Sequence, residues 1–184
     1  MPAIPADVVG FWTSAGPTRW FGKSSAFDDA IRLKFEPVHF RAAQGEYVAW
    51  ASSPEGSLAL LILLDQFPRN LFRGTAHAFA TDPLARSIAD KAIAAGHDQA
   101  TDAALRLFFY LPFEHSESVT DQQRALALLE AHDAATGDID SLKWAVTHYE
   151  IIKRFGRFPH RNACLGRETT PEEAAFLEDG GFAG

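Results

Sequence analysis

Three observations on the 184-residue sequence predict an all-α fold. No stretch sustains the period-two alternation with β-branched residues that would call for strands. Apolar residues instead recur at spacings of three and four. The segments that carry them open on Ser, Thr or Asp beside Pro and close on Gly or Pro, the residues that cap and end helices. The expectation is a single domain of about eight to ten helices, many in antiparallel pairs joined by short loops.

Residues 6–12 read as a short opening helix, followed by a Gly/Pro/Ser-containing loop with the aromatic pair Trp20-Phe21. With Ser25 as N-cap, Phe27, Ile31 and Phe35 repeat every four residues, and Pro37 interrupts the pattern. A further piece runs to Gly45, and residues 46–51 form a short segment carrying Trp50. Ser53-Pro54-Glu55 opens the next helix, where residues 58–64 are apolar on every side, so this helix is expected at the centre of the fold. Asp82-Pro83 starts another helix, with Leu84, Ile88, Ala92 and Ala95 on one face and Gly96 beyond its end. Residues 102–111 follow, broken at Pro112. Ser118-Val119-Thr120-Asp121 caps a helix running toward Gly137, and Leu142, Ala145, Tyr149 and Ile152 form the stripe of one ending near Gly156. Thr170-Pro171-Glu172-Glu173 caps the last.

The net charge of −7 and a pI near 5.4 exclude a broad cationic face, and with it general nucleic-acid or anionic-membrane binding. The longest apolar run, residues 58–64, is far too short for a membrane span. A lone cysteine, Cys164, leaves no intrachain disulfide and fits a reducing compartment. The start, Met1-Pro2-Ala3-Ile4-Pro5-Ala6-Asp7, lacks the basic and apolar regions of a secretory signal, so a cytoplasmic protein is expected.

Any basic site must therefore be local, and one phrase marks it. Phe67-Pro68-Arg69-Asn70 returns 91 positions later as Phe158-Pro159-His160-Arg161-Asn162, each copy placed where an apolar helix meets a proline. The second copy lies within residues 153–167, which hold five of the seventeen cationic residues and no acid. Arginine donates paired hydrogen bonds to phosphate or carboxylate, so Arg69, Asn70, Arg157, Arg161 and Asn162 are candidate ligand contacts, with Trp20, Tyr110 and Phe113 as walls. The same groups can equally tie down helix ends or pair with the protein's own carboxylates. Asp65, directly after the apolar run, needs a cationic partner, with Arg69, Arg73 and Arg161 as candidates, and is assigned a positioning role with Arg73.

Acid/base candidates are Glu114 and His115, in an aromatic break between helices, and His160. His148 reads as a histidine at the edge of the core with one hydrogen bond, and Glu150 and Arg154, four apart, as a helix-surface pair. His39, His77, His97 and His132 are assigned solvated or capping roles. No metal signature is present, because residues two apart on a helix point away from each other. Cys164 reads as buried and inert. Glycine-rich phosphate loops, dinucleotide fingerprints and nucleophile elbows are absent.

Leu64-Asp65-Gln66-Phe67-Pro68-Arg69-Asn70, Phe109-Tyr110-Leu111-Pro112-Phe113-Glu114-His115-Ser116-Glu117 and His148-Tyr149-Glu150, followed by Arg154-Phe155-Gly156-Arg157-Phe158-Pro159-His160-Arg161-Asn162, together resemble the bacterial family called domain of unknown function 924. The resemblance implies a tetratricopeptide-like all-α helical array and brings no activity, cofactor or catalytic residue. On the residues themselves, the expected function is binding of a small anionic ligand, phosphate- or carboxylate-bearing, at one site built from both copies of the phrase, with or without catalysis. The alternative is an interaction module that clamps an acidic peptide or a C-terminal carboxylate through the same arginines and asparagines.

Overall fold

A computed structural model describes residues 3–182, and among them there is no strand, as the all-α expectation requires. The chain forms two compact units, residues 3–73 with His77–Pro112, and Gly74–Ala76 with residues 113–182. No helix among the described residues is long and apolar enough to cross a membrane.

The first unit contains α1 (Pro5–Ala15), α2 (Pro17–Trp20), α3 (Ser25–Ala43), α4 (Pro54–Leu61), α5 (Phe67–Leu71), α6 (Asp82–Ala94) and α7 (Ala103–Arg106). Its centre is the predicted apolar helix. Ser53 caps α4, and Leu58, Ala59, Leu60, Leu61, Ile62, Leu63 and Leu64 are buried on every side. α1 and α6 pack against α4, and α3 against α5. The close approach of α6 relies on small residues, because Ala85, Ala89 and Ala92 present little more than a methyl to the core. Phe67 fills the other side, edge-on to Trp12 at 5.6 Å and tilted against Phe35 at 5.0 Å.

Prolines do less damage than the sequence predicts, and each exception has a physical reason. Pro37 lies inside α3 instead of interrupting it. The carbonyl it leaves without a donor belongs to Leu33, which is 85% exposed and open to water. The cap of α3 is Ser24, one residue before the predicted Ser25. Pro112 does not break a helix but sits in the first turn of α8 (Leu111–Glu114), where a missing N–H costs nothing.

Nor does the central helix stop at Pro68. It continues from α4 into α5 through a π turn, Ile62–Gln66, in which the Phe67 N–H reaches back to the Ile62 carbonyl. Pro68 has no N–H for Leu64, its α-helical acceptor, or for Leu63, its π-helical one. Both carbonyls are satisfied from outside the helix. The Thr81 hydroxyl donates to Leu64 O at 2.5 Å, and Nδ1–H of His39 to Leu63 O at 2.8 Å. His39 is thus wholly buried rather than solvated, and burial, partly offset by that bond, holds its pKa below the ordinary value.

The second unit is a helical hairpin, α9 (Val119–Thr136) and α10 (Ile139–Phe155), followed by a 3-10 turn (Pro159–Arg161) and α11 (Pro171–Glu178). Ser118 caps α9 as predicted, and Gly137 ends it at φ +76°, a left-handed conformation that glycine adopts without penalty. Ala125 and Leu129 of α9 and Ala145, Ile151 and Ile152 of α10 are buried. Phe155 and Phe176 extend the core toward α11. Glu150 pairs with Lys153 at 3.5 Å, while Arg154 reaches Glu172 at 2.9 Å, so the predicted Glu150–Arg154 pair does not form.

Thr81→Val keeps the side-chain shape and removes the donor to Leu64 O. It is expected to lower unfolding stability by about 1–3 kcal/mol, the usual cost of an orphaned buried acceptor, in urea denaturation followed by circular dichroism.

Candidate functional site

The two Phe-Pro-Arg-Asn phrases lie in different units and are wired alike. In the first, Arg69 bridges Asp65 and Asp82: Nη1 approaches Asp65 Oδ1 at 3.3 Å and donates to the Asp65 carbonyl, and the guanidinium donates to both Asp82 oxygens at 3.1 and 3.2 Å. Asn70 Nδ2 donates to Asp28 Oδ1 at 2.7 Å, and Arg73 donates to both oxygens of the same carboxylate. In the second copy, Asn162 Nδ2 donates to Glu173 Oε2 at 3.1 Å, and Arg157 holds both Glu173 oxygens at 2.6 and 2.8 Å. Asp28 and Glu173 both stand in the first turn of a helix, α3 and α11. Each phrase thus uses its asparagine, with a nearby arginine, to fix an acid at the start of another helix, where negative charge is already favoured.

This wiring leaves most of the predicted ligand contacts engaged by the protein itself. Asp65 pairs with Arg69, one of its three candidate partners, whereas Arg73 serves Asp28. Arg167 joins the same pattern, holding Glu117 at 2.6 and 3.0 Å. Burial pushes the Glu117 pKa up, and the bonds from Arg167 and the Phe158 N–H outweigh it, for a net lowering. The Arg157 pair holds Glu173 down at about 2 against the opposing effect of burial, with help from the Thr170 N–H. Of the predicted walls, Trp20 is core in the first unit and donates Nε1–H to the Trp12 carbonyl at 2.6 Å. Tyr110 is buried there and donates to Asp98 at 2.9 Å, and burial, with that bond, raises its pKa. Phe113, buried in the second unit, carries Arg124 on its face at 4.2 Å. Cys164 is half-buried, with Sγ 3.2 Å from the Arg161 carbonyl.

A different set converges within the second unit. Glu114, only 2% exposed, accepts from His148 Nδ1 at 2.5 Å. Its other oxygen, Oε2, is buried and has no hydrogen-bond partner among the described residues. The His148 ring stands edge-on to Phe158 at 5.4 Å and to Phe182 at 4.6 Å, with His115 at 6.4 Å and Trp144 at 6.5 Å. His160 meets the same two phenylalanines, at 5.6 and 5.1 Å, and its buried Nδ1 also lacks a partner among the described residues. Burial, then the Arg161 charge and His148, push the His160 pKa down to about 3. Arg161 lies over Phe158 at 4.4 Å and donates to the His115 carbonyl at 3.1 Å. Gln122 secures the base of the site by donating to the carbonyls of Glu114 and Ser116 at 2.5 and 2.7 Å.

Glu114, His115, His148, His160 and Arg161 are thereby brought together, all from sequence candidates. Phe182, which carries no periodic signal, and Gln122 were not foreseen, and Trp144, although next to His148 on the helical wheel at the edge of the apolar stripe, was not nominated for the site. No group of three or more His, Cys, Asp or Glu side chains among the described residues is arranged to hold a metal ion.

His160 takes a proton only near pH 3 when folded, against about 6.5 when unfolded, so its contribution to stability is complete above pH 6.5 and declines as pH falls toward 3. The expected outcome is a His160 Cε1–H NMR resonance that stays fixed from pH 8 to 5, and a shallower loss of stability over pH 6.5–4 in His160→Asn. Removing the Glu173 partner in Asn162→Leu is expected to cost about 2 kcal/mol in chemical denaturation, because the buried carboxylate keeps its charge and loses a donor.

Residues 8–181 match a family described as "Bacterial protein of unknown function (DUF924)". A solved structure, that of the protein of unknown function ATU0120 from Agrobacterium tumefaciens, is similar at 54% identity and a TM-score of 0.89, over 95% of this chain and 97% of that one. No curated protein matches the sequence. With a match over nearly its whole length, the chain belongs to the DUF924 family of bacterial proteins.

Proposed function

We propose that the chain binds a small anionic ligand at the Glu114–His148–His160 cluster and moves a proton to or from it. The observation that carries this reading is the buried Glu114 carboxylate with one oxygen on His148 and the other without a partner. Leaving a charged acceptor so costs about 1–3 kcal/mol or more, and a ligand donor facing Oε2 would recover it. With its Nδ1 proton directed at Glu114, His148 is left with Nε2 as the nitrogen that accepts a proton, the division of labour of a carboxylate-oriented general base. His160 stays neutral at working pH and offers a second polar contact. The positive charge of Arg161 beside it favours a carboxylate or phosphate on the ligand. Phe158, Phe182 and Trp144 supply the apolar surroundings in which these polar groups act strongly.

Arg69, Asn70, Arg157 and Asn162 have no part in this site, since each is committed to Asp28, Asp65, Asp82 or Glu173. The same commitment weighs against a peptide clamp built from these groups on a tetratricopeptide-like array.

Imidazole NMR during titration with a panel of phosphate- and carboxylate-bearing metabolites tests the proposal. At least one is expected to shift the His148 and His160 resonances saturably, and Glu114→Gln to weaken that binding tenfold or more. A panel that leaves both resonances unmoved, or binding indifferent to Glu114→Gln, overturns it.

A further inference from the structure

Among the described residues Arg19 is the arginine whose side chain makes no hydrogen bond, ion pair or ring contact, although acids outnumber basic residues 24 to 17. It lies on the rim of a solvent-open cleft of about 240 Å³ formed by α1, α2 and α3 in the first unit. Phe11 and Phe27 line the cleft and stack in parallel with ring centroids 5.6 Å apart. Ala15, Ala26 and Ala30 leave the space above them unfilled. No acid lines the cleft, and the acid that follows Phe27, Asp28, is bound by Asn70 and Arg73. Lys34 places its ammonium 5.2 Å from the Phe11 ring centre. Ser24 also lines the cleft: its oxygen accepts from the Phe27 N–H at 3.4 Å, and its own hydroxyl proton has no acceptor among the described residues.

We infer that this cleft is a binding site for a small aryl carboxylate, with the ring on Phe11 and Phe27 and the carboxylate on Arg19 and the Ser24 hydroxyl. The chemistry follows from the lining. Aromatic faces and alanines accept a flat apolar body, and a guanidinium without an internal partner supplies a charge-assisted fork for one carboxylate. The volume lies below the roughly 300–1,000 Å³ of pockets for drug-sized ligands, so the occupant is a single-ring or fused-ring compound. The cleft belongs to the first unit, and the inference does not depend on the Glu114–His148 reading.

Calorimetry and backbone-amide NMR with phenylacetate as the probe test the inference. Phenylacetate is expected to bind saturably, shifting amides of α1 and α3 and leaving the His148 and His160 resonances unmoved. Arg19→Gln, at an exposed position with nothing to lose in the fold, is expected to weaken binding tenfold or more. Neutral phenylacetamide should be weakened alike, and Ala30→Leu, which fills the cleft, should abolish binding with unchanged circular dichroism. Absence of phenylacetate binding, binding indifferent to Arg19→Gln, or inorganic phosphate binding as tightly as phenylacetate would each overturn it.

Discussion

A carboxylate in the first turn of a helix, shared between an asparagine amide and an arginine fork, is the interaction on which both units depend. In the first unit Asp28 of α3 takes Asn70 and Arg73; in the second, Glu173 of α11 takes Asn162 and Arg157. Each joins elements distant in sequence, and each loads the positive end of a helix with negative charge. The geometry also explains why the recurring phrase ends in asparagine. Its amide donates to the acid without adding a second charge, so the arginine can neutralise that acid alone. An aspartate there would set two carboxylates against one another, and a lysine would lack the planar donor pair.

Seen this way, the cationic stretch at residues 153–167 is an internal counter-charge. Arg154, Arg157 and Arg167 hold Glu172, Glu173 and Glu117, so the basic character visible along the sequence is cancelled in space by acids from other segments. Linear clustering of charge reports where side chains attach to the backbone and not what they face. A positive charge with a bearing on ligands is therefore one whose surroundings are not acidic, and Arg19 lies at a cleft with no acid in its lining.

The all-α class, the buried central helix, and the caps at Ser53, Ser118 and Thr170 were legible because they rest on local rules of periodicity and capping. Pro68 was misread for a tertiary reason. Whether Pro68 ends a helix depends on Thr81 and His39, which satisfy the carbonyls it orphans and are 13 and 29 positions away in sequence. The candidate site was legible in its chemistry and not in its company. Glu114, His115, His148 and His160 could each be nominated, but nothing in the spacing of residues 114 and 148 states that they share a hydrogen bond. Trp20, in a Gly/Pro/Ser-containing loop, and Tyr110, beside an aromatic break between helices, were nominated as ligand walls. Their polar atoms instead close on Trp12 and Asp98 inside the core.

The contrast between the π turn and the Glu114 pair separates scaffold from site. At the π turn, Pro68 brings no N–H to either of its two helical acceptors, Leu63 and Leu64, and the fold supplies a side-chain donor to each carbonyl. At Glu114, the fold satisfies the backbone carbonyl through Gln122 and one carboxylate oxygen through His148, yet the remaining oxygen, on the group where an omission costs most, has no partner among the described residues. Neutral atoms such as Trp12 Nε1 and His39 Nε2 share that status at a much smaller cost. The same fold that supplies side-chain donors to the Leu63 and Leu64 carbonyls brings none from the described residues to Glu114 Oε2, and that difference is what sets this carboxylate apart from the scaffold.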